Sequence, residues 1–383
     1  MQPLRTPVPE ALCNRHARRW TSLALIVGSL AGCALAPPAS PPAPQGLPAA
    51  AAPTPPAPTV GRWVPVPWSQ LDLESDTFSE AWPAWLLSCE RPTPAWRALC
   101  PEIRRLAHAG SQAQGAFLRT RLQPYRIEAE NAQAQGLLTA YYEPLMQASR
   151  RPQGRFTVPL HAVPAGLGAG KPWFTRQEID TLPQARAALQ GRELVYLADP
   201  ADALVVQIQG SGLMQVYEPD GQRRLVRLAF AGTNEQPYRS VGRWLLDRGL
   251  VRDASWPGIK DWMARNPSRV QELLWSNPRV VFFKEEALPE GRPPAGPRGA
   301  QGVSLTAGRS IAVDPRSIPY GTPVWLFSSG PQVQLQRLVL AQDTGSAIVG
   351  AVRADYYTGS GDAAGELAGR LKQPLRMWAL WPR

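Results

Sequence analysis

A chain of 383 residues, 44% apolar and 19% charged, has the makeup of a folded protein and the length for about two or three domains, which excludes a disordered or collagen-like polymer. Its 41 Lys and Arg against 30 Asp and Glu give a net charge of +11, which suits contact with anionic surfaces or an acidic polymer. No Lys/Arg run marks a nucleic-acid groove, so nucleic acid is not an expected partner.

The chain opens with Arg15, Arg18 and Arg19 ahead of the apolar run LALIVGSLAG. These are the n-region and h-region of a secretory signal, and the run is too short to span a bilayer permanently. Leu30, Ala31, Gly32 and Cys33 match the lipobox of bacterial lipoproteins, in which small residues enter a peptidase site and the Cys thiol receives a diacylglycerol. Residues 1–32 are thus expected to leave and Cys33 to be lipidated. Ala34 stands where Asp is the usual inner-membrane retention signal, so the expected location is the outer membrane, lipid-anchored and facing the periplasm. Four Arg and one Glu leave with the leader, lowering the charge from +11 to +8.

Residues 33–61 form a Pro/Ala-rich tether of extended polyproline type, about 3 Å per residue and with nothing to bury. Folded sequence begins near Arg62, and residues 77–123 carry apolar positions at helical spacing. Cys89 and Cys100 lie there, eleven residues apart, and are expected to form a disulfide after export. Neither has a nearby His, so a catalytic thiol is not expected.

Past Pro124 the strings GLLTAYYEPLM, RFTVPLHAV, ELVYLAD, ALVVQIQGSGLMQVY and RRLVRLAFAGT are short, β-rich and broken by Gly, Pro and Asp, as in a barrel or sandwich. Thr175 and Glu178 form a capping-box pattern that starts a helix. A second helical block runs from Ser240 to about Asn277, with segments opened by Ser or Pro. VVFFKEE then resumes strand character, and the last region reads as five strands with one short helix capped by Asp362.

Several familiar chemistries lack their parts. Downstream of the leader only His108 and His161 remain, with no Cys beside either, so neither a zinc site nor a Ser-His-Asp triad is expected. GLGAGKPW lacks the Ser/Thr of a phosphate loop, and the glycines of GSGDAAG are misspaced for a dinucleotide site. Carboxylates are left, and glycoside cleavage needs little beyond a carboxylic acid and support for an oxocarbenium-like centre. Asp314, Asp343 and Asp355 are candidates by position. Asp-Pro favours a turn role for Asp314, and Asp-Thr-Gly leaves Asp343 ambiguous. Asp355 sits inside an apparent strand, where an acid is unexpected. A regular strand would put Arg353 on its face, and that cation would depress its pKa. Thirteen Trp downstream of the leader offer flat faces for sugar rings or a core, and the polar string QIQGSG offers backbone that a polymer can approach.

Taken together, GLLTAYYEPLM, VVQIQGSGLMQV, GTNEQPYRSVGRWL, NPRVVFF, RSIAVDPRSIPYGTPVWL and LAQDTGSAIVGAVRADYYTGSGDAAGELAG resemble the membrane-bound lytic murein transglycosylase A family over residues 62–383. The resemblance implies a mainly β fold with flanking helices: a double-psi β-barrel from residues 62–144 and 288–383, the second part carrying the catalytic Asp, and an inserted β-rich domain at 145–287. A glycan strand would lie between them. The family's catalytic acid falls on Asp355, with Asp343 and Asp314 as neighbouring groove carboxylates. Thr139, Tyr141 and Glu143, with Gln209, Gly210, Ser211 and Gly212, fall on strings that face the groove from the other side. This chain has TAYY and DTGSAI where relatives often have TGYY and DVGGAI, small-residue changes that bear on groove geometry. The implied partners are peptidoglycan glycan strands, the membrane through the lipid anchor, and other cell-wall enzymes. No metal or cofactor is implied. A hydrolytic muramidase and a noncatalytic wall-binding lipoprotein are the competing readings.

Overall fold

The computed structural model describes residues 54–168, 170–289 and 294–383. The leader, Cys33 and most of the tether lie outside the described residues.

Three strands, β1 (Arg62–Pro65), β2 (Leu122–Glu128) and β3 (Gly136–Glu143), come before Pro144. Six follow it: β4 (Leu145–Ser149), β5 (Val158–His161), β6 (Glu193–Leu197), β7 (Ser211–Tyr217), β8 (Arg223–Thr233) and β9 (Val281–Ala287). The last five are β10 (Ser310–Val313), β11 (Pro323–Ser329), β12 (Gln334–Asp343), β13 (Arg353–Ser360) and β14 (Lys372–Pro382). The first and last groups share one eight-stranded sheet, in the order β1-β2-β14-β11-β12-β10-β13-β3. Because β14 also pairs with β3, through Lys372–Leu375, six of these strands close into a ring. The middle group forms a separate six-stranded sheet, β5-β6-β4-β7-β8-β9. The β-rich, two-part architecture expected from the sequence is therefore present.

The first passage of the chain between the sheets takes a single residue. Pro144 lacks an N–H and cannot continue the ladder of β3, so the string GLLTAYYEPLM becomes two strands in two sheets. The ring interior is filled by small and branched residues, among them Ile311, Val313, Val324, Val339 and Ala354. Outside it, the helices between β1 and β2 pack Trp82, Trp85 and Trp96 against Phe117, with edge-on ring pairs at 5.2–5.9 Å. Cys89 and Cys100 are joined by a disulfide inside this cluster.

Local signals account for most helix starts. Thr175 and Glu178 complete their capping box, and Ser240 and Ser255 each accept a backbone N–H from the first turn they cap. Two expectations are corrected. The first half of ALVVQIQGSGLMQVY belongs to the helix Pro200–Gln209, started by the Asp199 side chain and Pro200, and so apolar that it is buried almost all round. Asp362 is the first residue of its helix rather than the cap, a place taken by Gly361, whose φ of 83° suits glycine.

Candidate functional site

The carboxylates reach a common place through strand register. Ala312 on β10 is paired with Asp343 of the parallel strand β12 on one side and with Asp355 of the antiparallel strand β13 on the other. Across β13, Asp355 is in register with Thr139 of the parallel strand β3. These residues line a cleft of about 710 Å³ whose opposite wall comes from the second sheet and its helices, including Gln209, Ser211, Phe230 and Tyr238.

Asp355 is half-buried and accepts a hydrogen bond from the Thr139 hydroxyl. Burial raises its pKa above the usual carboxylate value, against the opposing pull of Thr139 and the Arg353 charge. Arg353 does not bond to Asp355. Its guanidinium donates to Thr139 Oγ1 at 2.8 Å and to the carbonyls of Ala354 and Leu137. The cation that a regular strand places beside the acid is thus held one hydroxyl away, and desolvation outweighs it.

Asp343 has its oxygens occupied. Tyr141 donates its hydroxyl to Oδ2 at 2.9 Å, and the Ala300 backbone N–H donates to Oδ1 at 2.9 Å. Burial again raises the pKa, these bonds oppose it, and repulsion from Asp355 adds to it. Tyr141 is pushed well above the ordinary phenol value by its own burial and by Asp343. The Ala300 contact depends on Gly299: a Cβ there would sit 2.6 Å from the Gln342 carbonyl and 2.7 Å from Leu305, so only glycine lets this loop lie against β12.

Three expected site residues lie away from the cleft lining. Asp314 is 2% exposed, bound by Arg316 and by the Gly350 N–H at 2.9 Å, and its pKa is depressed chiefly by Arg316. It secures the turn that leads into β13. Glu143 is fully buried in a two-pronged pair with Arg227 at 2.6 and 2.9 Å, joining β3 of the ring to β8 of the second sheet. Gly212 is buried where a Cβ would meet Met214 at 2.6 Å. The glycines of QGSG have local duties, since Gly210 (φ 82°) ends the helix in a left-handed turn. Thr139, Tyr141, Gln209, Gly210, Ser211, Asp343 and Asp355 do line the cleft, but Thr139 and Tyr141 stand on the aspartates' own wall, on β3 beside β13, and not, as expected, across from it.

Sequence reasoning missed Phe230. It is 54% exposed in the cleft, next to the point where an extra residue, Ala231, interrupts the pairing of β8 with β9. No Trp lines the cleft among the described residues; its aromatic side chains are Tyr141, Tyr238 and Phe230. No described cluster of His, Cys, Asp or Glu could hold a metal ion.

A family profile described as the MltA specific insert domain matches residues 137–284, and one described as the 3D domain matches residues 309–381, a span that contains all three aspartates. Over 272 residues the chain is 33% identical to the membrane-bound lytic murein transglycosylase A of Vibrio cholerae, covering 68% of this chain and 69% of that protein. The chain belongs to the membrane-bound lytic murein transglycosylase A family. Among solved structures it resembles the lytic transglycosylase LtgG of Burkholderia pseudomallei, at 43% identity and a TM-score of 0.57, over 85% of this chain and 97% of that one. It also resembles MltA of Escherichia coli with bound chitohexaose, at 25% identity and a TM-score of 0.66, over 85% of this chain and 93% of that one. In this member of the transglycosylase A family, the 3D-domain span supplies Asp343 and Asp355 to the cleft, and the insert-domain span supplies Thr139 and Tyr141 beside them and Gln209, Ser211 and Phe230 opposite.

Proposed function

We propose that this chain cleaves the β-1,4 bond between N-acetylmuramic acid and N-acetylglucosamine of peptidoglycan and leaves a 1,6-anhydromuramyl end. Asp355 is the catalytic residue. As an acid it gives its proton to the glycosidic oxygen while the bond to the muramyl anomeric carbon breaks. As a base it then takes the proton of the muramyl 6-hydroxyl, whose oxygen closes on that carbon. The substrate supplies its own nucleophile, Asp355 ends protonated as it began, and water is not consumed.

The observation that carries this reading is the asymmetry of the two carboxyl groups. Burial raises the pKa of both groups, but among the described residues the Asp355 side chain is bonded by Thr139 alone, whereas Asp343 is engaged by Tyr141 and the Ala300 N–H. A carboxyl group held by two donors suits support of the cationic centre better than activation of water. Asp314 serves the site through the turn at Gly350 and is a positioning residue.

Peptidoglycan glycan strands are the substrate and Cys33 carries the lipid anchor, with the tether spanning some tens of Å at about 3 Å per residue from the outer membrane. No helix among the described residues is long and apolar enough to cross a membrane. Digesting purified peptidoglycan in heavy-oxygen water tests the chemistry. Products free of the label support the transglycosylase, labelled reducing ends identify a hydrolase, and absence of cleavage identifies a binding protein.

A further inference from the structure

The cleft carries positive charge that the acid chemistry does not use. Arg176 lies in the cleft wall formed by the second sheet and its helices, and is 9% exposed. Its guanidinium donates to the Asn277 carbonyl at 3.1 Å, to Gln207 Oε1 at 2.8 Å and to the Arg279 carbonyl. Every one of these acceptors is neutral, and among the described residues Arg176 makes no ion pair. Asp180, whose charge reaches it, is bonded instead to Gln271 and Trp275. Burial lowers the Arg176 pKa to about 10, which leaves it a cation at neutral pH.

Arg279 lies next to it. Its backbone carbonyl is one of the Arg176 acceptors, its Nε donates to the Gln236 carbonyl at 2.7 Å, and it too has no ion pair among the described residues. Both residues belong to the cleft lining. A buried cation without a counter-ion is costly to hold, and here buried Arg176 and half-buried Arg279, both without an ion pair among the described residues, line a ligand cleft. A strand of N-acetylated sugars has no charge on its rings or acetamides to match them. The anions of a peptidoglycan strand are carboxylates attached through the muramyl lactyl group.

We propose that Arg176 and Arg279 form a subsite for a carboxylate attached to a muramyl residue, so that the cleft selects charged strands over neutral chitin-like ones. This rests on the reading of the cleft as a peptidoglycan site. The carboxylate belongs either to the lactyl group of a stem-free strand or to a peptide stem, and the guanidinium fork suits both.

The test measures binding to the full-length protein carrying Asp355→Asn, which blocks turnover. Three probes are compared: chitohexaose, stem-free glycan strands with lactyl carboxylates, and stem-bearing strands. The expected result is tighter binding of a carboxylate-bearing strand, weakened by added salt and by about tenfold in Arg279→Gln, with chitohexaose binding unchanged. Gain on the stem-free strand assigns the lactyl carboxylate, and gain only on the stem-bearing strand assigns the peptide. Arg176→Lys, checked for folding by circular dichroism, keeps the charge but loses the fork and is expected to weaken the same interaction. Equal binding of all three probes, or equal loss of all three in Arg279→Gln, overturns the subsite while leaving a glycan cleft. Failure to bind any probe overturns the subsite and the peptidoglycan reading together.

Discussion

The hydroxyl of Thr139 donates to the carboxylate of Asp355, and the same oxygen accepts from Arg353. One small side chain therefore supports the acid and holds the cation off it. Parallel pairing of β3 with β13 places the two residues opposite each other, although they are 216 positions apart.

Asp355→Asn keeps the shape of the side chain and removes its proton. Lytic activity is expected to fall roughly 10²–10⁴-fold or more, as for loss of a general acid. Its stability makes a separate prediction. Because burial raises the folded pKa of Asp355 above the ordinary value of 3.8, ionisation favours the unfolded chain as pH climbs past that value. The Asn variant escapes this, so denaturant unfolding is expected to find it more stable than the native protein at neutral pH. The difference should shrink as pH falls toward 3.8 and below. A variant that retains most of its activity removes Asp355 from the catalytic role.

Thr139→Val takes away the hydrogen bond that holds the Asp355 pKa down. The alkaline limb of the kcat/KM profile is expected to move to higher pH, and the rate at the optimum to fall through looser positioning of the carboxyl group. An unmoved limb would assign it to another group.

Tyr141→Phe leaves Asp343 Oδ2 without its 2.9 Å partner, while the Ala300 N–H still holds Oδ1. Losing one such bond to a buried charged group costs about 1–3 kcal/mol, so kcat is expected to fall by about tenfold or somewhat more, well short of Asp355→Asn. Asp343→Asn is expected to fall between the two. Equal defects in Asp343→Asn and Asp355→Asn would require the pair to be treated as one unit.

Glu143 is expected to act through structure, not substrate contact. Glu143→Ala strands the buried Arg227 guanidinium between the two sheets, at a cost of about 3–5 kcal/mol read by denaturant unfolding. A variant of unchanged stability with a raised KM would return Glu143 to the substrate-binding role that the resemblance implies.

Much of this architecture is legible in the sequence, because the signals are local. Capping at Thr175, Ser240 and Ser255, the Cys89–Cys100 pair and the short strands all act within a few residues. The helix Pro200–Gln209 hides because a fully buried helix shows no polar face, although Asp199-Pro200 marks its start. At the site, the family motifs point to Asp355, but its environment depends on which strand lies beside β13, which no spacing reveals. Glu143 and Asp314 occupy the same motifs as cleft residues, and only their partners Arg227 and Arg316 distinguish them. Phe230 lies beside a one-residue irregularity that alternation cannot disclose.

The most direct test of the central claim is the mass of the disaccharide that this protein releases from purified peptidoglycan. Intramolecular attack by the 6-hydroxyl predicts a 1,6-anhydro product lighter by one water than the reducing disaccharide, falling together with cleavage in Asp355→Asn. A product at the mass of the reducing sugar would contradict it and assign Asp355 to a hydrolase.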